Sequence, residues 1–237
     1  MIDLHCHVLP AIDDGARDMD DALAMARQAE ADGIAVICAT PHIRRDHDVR
    51  IHELDGRIAE LQTAIDAAGI AVRIERGGEV AEPILESLTD DELRTVALGG
   101  RWVLLEPAAG PIGEDLVTGV AHLHERCFGA VVAHPERHAA SDLEDWLAQA
   151  VAAGALVQAT AAALTGGGDG AAWLTRLAQD GLIHVLGSDA HSSHIGRRVE
   201  LSAAYAQLDA AGADTAGMRA AAEAVITEPK DETCVRL

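Results

Sequence analysis

Metal-ligand residue types follow directly on six short apolar runs of this 237-residue chain. His5-Cys6-His7 ends the first, with Asp13-Asp14-Gly15 behind it. Thr40-Pro41-His42, Gly77-Gly78-Glu79, Glu106-Pro107, His134-Pro135-Glu136-Arg137-His138 and Ser188-Asp189-Ala190-His191 close the other five. On a strand, alternate side chains share a face, so the two imidazoles of an H-x-H can hold one metal while Cys6 points away into packing. Taken singly, each motif has an ordinary reading. H-x-H can be two surface histidines, Ser-Asp-Ala-His a helix N-cap, and Gly-Gly-Glu a turn. Glu106 and His134 resist such readings, because each comes straight after an apolar run. An unpaired polar group at a buried strand end costs roughly several kcal/mol. Six coincidences at six strand ends are a poorer account than one shared site.

Nine side chains are candidates: His5, His7, Asp14, His42, Glu79, Glu106, His134, Asp189 and His191. One ion takes about four to six ligands, so two or three clustered divalent ions are expected, with Glu79 bridging two of them. Mixed nitrogen and oxygen donors without thiolate suit Mn, Fe or Zn better than Ca or Mg. Three such ions against four carboxylates leave about +2, so the site can be cationic inside an acidic protein. Arg137 and Arg197, with Arg198 beside it, add planar guanidiniums suited to phosphate oxygens. A salt bridge from Arg137 to Glu136 or Asp142 is the plainer alternative. Arg44 and Arg45 either reach over the site or lie in a solvated loop. His47, His52, His122 and His124 fall away from strand ends, His184 within a strand, and His138 and His194 near the site but facing solvent.

Positioning these residues requires strands whose ends meet. Apolar runs at 4–9, 34–39, 70–74, 102–105, 130–133, 155–158 and 182–186 read as strands. Between them, residues 18–32, 49–68, a short stretch after Pro83, 113–127, 141–153 and 170–180 read as helices, and 199–227 is mostly helical. Asp18 and Ser141 are candidate N-caps, and Thr165–Gly170 reads as a flexible loop. The last ten residues look frayed. Strand–helix alternation predicts an α/β fold with a parallel sheet, in which strand ends gather on one face. With no break in composition, residues 1–237 read as a single domain and one barrel, a doubly wound open sheet being the alternative.

The formal net charge is −21 and aromatics make up 2% of the chain, which excludes a basic phosphate-backbone interface and a base-stacking platform, so no nucleic acid is expected. There is no apolar run long enough for a membrane span and no signal-peptide pattern at Met1, so a cytoplasmic protein is expected. The four scattered cysteines read as reduced thiols. The sequence does not fix the oligomeric state.

The ordered set H-x-H, Asp-Asp-Gly, T-P-H, G-G-E, L-L-E, A-H-P-E-R and S-D-x-H resembles the PHP (polymerase and histidinol phosphatase) superfamily. The opening Ile2–Pro10 with Ile12–Gly15, and Ala133–Arg137, are similar to its capsule-locus tyrosine-protein phosphatases of the CpsB/CapC type. The likeness runs from Ile2 to about Arg198. It implies a TIM-like (β/α)7 barrel with a trinuclear centre, often manganese, held by the nine residues above, with Arg137 and Arg197 on the phosphate. It also implies hydrolysis of phosphotyrosine, typically on the tail of a bacterial tyrosine autokinase controlling exopolysaccharide export. Two segments depart from the pattern: Gln158-Ala159-Thr160-Ala161 replaces an Asn-containing segment, and Glu228-Pro229 replaces Asn-Pro. The competing functions are a small-molecule phosphatase such as histidinol phosphatase, a phosphodiesterase disfavoured by charge, and a non-catalytic regulatory binding module. A carbamylated-lysine amidohydrolase is excluded, since the single lysine is Lys230.

Overall fold

The computed structural model describes residues 1–138 and 142–227. Among these described residues, nine parallel strands form one curled sheet with helices on its convex side. They are β1 (Ile2–Cys6), β2 (Val36–Ala39), β3 (His42–Ile43), β4 (Arg73–Arg76), β5 (Glu79–Ala81), β6 (Trp102–Glu106), β7 (Gly129–Val132), β8 (Leu156–Thr160) and β9 (Val185–Gly187). Two hydrogen-bonded orders, β1-β2-β4 and β3-β5-β6-β7-β8-β9, are successive pieces of this surface. β3 continues β2 beyond Pro41, which lacks an N–H for the ladder, and β5 continues β4 beyond Gly77-Gly78. At the far side, Cys6 bridges Ala190 just past β9, and the N–H of Asp189 donates to the carbonyl of His5 at 2.7 Å.

The helices are α1 (Met19–Asp32), α2 (Leu54–Ala67), α3 (Asp90–Val96), α4 (Glu114–Glu125), α5 (Leu143–Ala152), α6 (Ala161–Thr165), α7 (Gly168–Gln179), α8 (Ser202–Ala210) and α9 (Thr215–Thr227). α1 shows why they sit where they do. Asp18 caps its first turn by accepting from the Asp21 N–H, and Ala22, Met25, Ala26 and Ala29 form the buried stripe of a 3.6-residue period. Two apolar clusters result. The larger lies between the sheet and the helices. The smaller gathers Leu4, Cys38, Leu104, Val131 and Val185 from five different strands, which places them on the concave face, and adds Ala222 and Val225 of α9. α9 therefore closes the end where the strands begin, leaving the other end open.

Several element boundaries differ from the sequence reading. Strand one starts at Ile2 and stops at Cys6, and the third starts at Arg73 rather than Ile70. Gln62 of α2 accounts for the latter: its Oε1 takes the Ile74 N–H and its Nε2 donates to the Val72 carbonyl, so Ile70 and Val72 pack under a helix. The glycine-rich 165–170 segment is not an extended loop, since α6 ends and α7 begins within it. Cys6 and Cys38 are free and buried, whereas Cys127 is disulfide-bonded, so the reduced-thiol expectation fails there. Ser141, Glu228-Pro229 and the last ten residues lie outside the described residues. Among the described residues, no helix is long and apolar enough to cross a membrane.

Candidate metal centre

All nine candidate ligands come together at the open end. They form four overlapping groups, each with donor atoms within 4.8 Å of one another: His7, Asp14, His42 and His191; His5, His134 and Asp189; His5, His7 and Glu79; His42, Glu79 and Glu106. The floor, made of His5, His7, Glu79, His134 and Asp189, is at most 1% exposed, whereas the side chains of Asp14 and His191 are 58% and 22% exposed at the rim.

The backbone aims these groups deliberately. His5 and His7 share a face of β1 and its continuation, with Nε2 atoms 3.2 Å apart. His134 (φ 30°) and Asp189 (φ 50°) adopt left-handed conformations that cost roughly 1–3 kcal/mol each in a non-glycine residue. Such strain is characteristic of sites whose geometry the surrounding fold imposes. Two glycines give the imidazoles room. A Cβ on Gly15 would stand 2.2 Å from the carbonyl of His7, and one on Gly187 2.6 Å from Cβ of His5.

The floor attracts positive charge. Glu79 Oε1 accepts from His134 Nε2 at 2.6 Å, but Glu79 Oε2 and Asp189 Oδ1 are buried with no hydrogen-bond donor. His42 Nδ1 lies 2.8 Å from Glu79 Oε2 without hydrogen-bond geometry, as two donors converging on a third atom would. Burial alone would lower the basicity of His5 and His7. Against this, Glu79 and Asp189 raise His5, while Asp13 and Glu79 push His7 up to about 10. Burial works to raise Glu79, yet His5, His134 and His42 hold it well below the usual carboxylate range. Carboxylates that keep buried imidazoles protonated can be satisfied equally by divalent cations, which displace those protons on binding. The donor set fits a metal.

Arg137 and Arg197 converge on Asp189. Arg137 Nη2 pairs with Asp189 Oδ2, Arg197 Nη2 lies 3.2 Å from the same oxygen, and Arg197 Nε donates to the Asp189 carbonyl at 2.7 Å. The alternative bridges from Arg137 to Glu136 or Asp142 do not occur among the described residues. Arg44 Nη1 stands 3.5 Å from Glu106 while its Nε donates to Asp46, and Arg45 is exposed. His47 stacks on His42 with ring centroids 5.1 Å apart, closer to the site than its sequence position suggests. His138 is buried and donates through Nδ1 to Gly110, so the solvent-facing expectation fails for it. His184 immediately precedes β9, and its Nδ1 accepts from the Val157 N–H.

Sequence reasoning missed the residues that hold the candidate ligands in place. Asp13 accepts from His7 Nδ1 (2.8 Å) and from the His42 N–H (2.9 Å), and Gln158 Oε1 from His5 Nδ1 (3.0 Å). Asp3 takes the N–H groups of His5 and Ser188. One face of α1 secures the segment between His191 and α8. Asp21 accepts from the Ser193 N–H and hydroxyl, Gln28 bonds Ser193 and Val199, and Asp32 takes the Leu201 and Ser202 N–H groups. Only the partial helical period of these three side chains could have signalled this role.

Comparison with known proteins decides the family. Residues 1–224 match the family described as capsular polysaccharide synthesis, CpsB/CapC. The chain belongs to the CpsB/CapC family. It is 32% identical over 206 residues to the tyrosine-protein phosphatase YwqE of Bacillus subtilis, covering 81% of this chain and 78% of that protein. It is 27% identical over 144 residues to the tyrosine-protein phosphatase CpsB of Streptococcus pneumoniae, 58% of each chain. A crystal structure reported for YwqE and CpsB, described as metal-dependent tyrosine phosphatases, superposes with a TM-score of 0.82 at 28% identity, over 95% of this chain and 94% of the other. CpsB/CapC membership agrees with the resemblance read from the motifs.

Proposed function

We propose that this chain is a metal-dependent protein-tyrosine phosphatase: a single domain whose sheet closes as a seven-stranded barrel, β2/β3 and β4/β5 each counting as one strand. The closure reading is supported by the Cys6–Ala190 bridge. The nine residues hold two or three divalent ions, manganese in our reading, with Fe or Zn as the other candidates, and Glu79 serves more than one of them. The observation that carries this is the buried carboxylate pair, Glu79 and Asp189, each with an oxygen that has no hydrogen-bond donor and each surrounded by imidazoles.

Ions bound there would supply Lewis-acid polarisation of a phosphoryl oxygen and lower the pKa of water near neutrality. The chain's own residues do the rest. Arg137 and Arg197 reach over the floor, part exposed, and can turn planar N–H pairs toward the equatorial oxygens of a phosphate as charge builds there. Asp13 and Gln158 accept from Nδ1 of His7 and His5 and so aim each Nε2 at the centre, where a bound ion would replace its proton. A tyrosyl leaving group, with a phenol pKa of about 10, departs without a strong general acid. This chemistry does not require one among the described residues. The family's link to capsular polysaccharide synthesis supports a tyrosine autokinase as the cytoplasmic partner whose phosphotyrosines are removed.

The test compares hydrolysis of a phosphotyrosine peptide and of histidinol phosphate, with added Mn2+ and then with chelator. Chelator-sensitive release from the peptide is expected. Release from histidinol phosphate alone would move the protein to small-molecule metabolism, and no release from either would refute phosphomonoester hydrolysis.

A further inference from the structure

Asp13 and Gln158 make matching contacts on two sides of the centre. Asp13 takes the Nδ1–H of His7 and the backbone N–H of His42, both members of the group completed by Asp14 and His191. Gln158 Oε1 takes the Nδ1–H of His5 at 3.0 Å and the backbone N–H of His134 at 3.3 Å, both members of the group completed by Asp189. The backbone N–H of His134 fixes the amide's orientation, since the flipped amide would set its NH2 against it, and the Oε1 so placed makes His5 Nδ1 the donor. Gln158 is fully buried, with Gly187 against its amide.

The two orienting residues differ in charge. A carboxylate behind an imidazole makes the ring a stronger metal ligand than a neutral amide does. A second difference acts in the same direction. Asp189 is shared by Arg137 and Arg197, which compete with a cation for its oxygens. The ionic partners of Asp14 among the described residues are only His42 and His191. With imidazoles neutral, the first group and its orienting residue carry about −2, and the second group with its orienting residue and two guanidiniums about +1.

We propose that the centre fills in two steps, tightly at the group backed by Asp13 and more weakly at the group backed by Gln158, and that Gln158 is the positioning residue setting the strength of the second step. This rests on reading these residues as metal ligands. Opposed arginines give the weaker position a physical use: a phosphate that draws the guanidiniums off Asp189 frees that carboxylate for its ion.

The experiment is a calorimetric Mn2+ titration of the chelator-stripped full chain, with bound metal counted by elemental analysis and folding checked by circular dichroism. Wild type should show two separable affinity classes. Gln158→Glu, which keeps the acceptor and adds charge, should tighten the weak class by about tenfold or more and leave the tight class unchanged. Gln158→Asn, which draws the oxygen back, should loosen only the weak class, and Asp13→Asn should loosen the tight class by about ten- to a hundredfold. A single class in wild type, or Gln158 variants that shift both classes alike or neither, would overturn the proposal. Wild type that binds no Mn2+ would overturn the ligand reading beneath it.

Discussion

Leu4 and His5 are neighbours on β1, yet they belong to different kinds of interior. Leu4 packs with Cys38, Leu104, Val131 and Val185 on the concave face and is closed over by Ala222 and Val225 of α9. His5, one residue on, sits among Glu79, His7, Gln158 and Asp189, as deeply buried and surrounded by charge. At the closed end burial is its own reward, because apolar area leaves water. At the open end burial is a cost unless each charge is met, and buried carboxylate oxygens remain without a donor. The same strands thus carry stability at one end and a demand for cations at the other.

Substitutions should separate the two ends. The largest effect is expected for Glu79→Gln, which removes the carboxylate common to two ligand groups. Bound metal per chain should fall by at least one ion, and turnover by roughly a thousandfold, equivalent to several kcal/mol of transition-state stabilisation. Arg137→Ala should lower kcat/KM by about a hundred- to a thousandfold while metal content does not fall, because the arginine, paired with Asp189, would oppose a cation bound there. Metal loss in that variant would show that Arg137 supports the ligands instead.

At the closed end, Leu104→Ala should destabilise the fold by about 2–5 kcal/mol through a cavity, read by urea denaturation, with the metal count of the folded protein unchanged. Asp21→Asn is the smallest expected effect, about 1–3 kcal/mol. Burial would raise Asp21, but hydrogen bonds from Ser193, Arg17 and Ser192 bring it down to about 2 from an ordinary 3.8. A carboxylate depressed on folding stabilises the fold above its unfolded value and loses that contribution as pH falls through the folded one. The gap between wild type and Asp21→Asn should therefore be full above about pH 4 and close toward about pH 2.

The comparison also explains what could be read in the sequence. Glu106 and His134 were legible because each comes straight after an apolar run, where an unmet polar group is costly, and His42, Glu79 and Asp189 because they recur with these two at the ends of other strands. Asp13 was not, because adjacent aspartates look alike in sequence and only the turn at Gly15 decides which one meets His7. Gln158 read as a departure from a family pattern, since nothing local shows that its oxygen meets an imidazole 153 positions away. The role of Asp21, Gln28 and Asp32 was not legible, since nothing local to their helix shows that they meet Ser193, Val199 and Leu201 beyond His191. Strand–helix alternation and the parallel sheet followed from periodicity, whereas the split of the second and third strands and the helical start at Gly168 depend on tertiary packing.

The most direct test of the central claim is anomalous diffraction from crystals grown with Mn2+. The account predicts two or three manganese peaks enclosed by His5, His7, Asp14, His42, Glu79, Glu106, His134, Asp189 and His191. Manganese bound elsewhere, or no peak in protein that still hydrolyses a phosphotyrosine peptide, would contradict it.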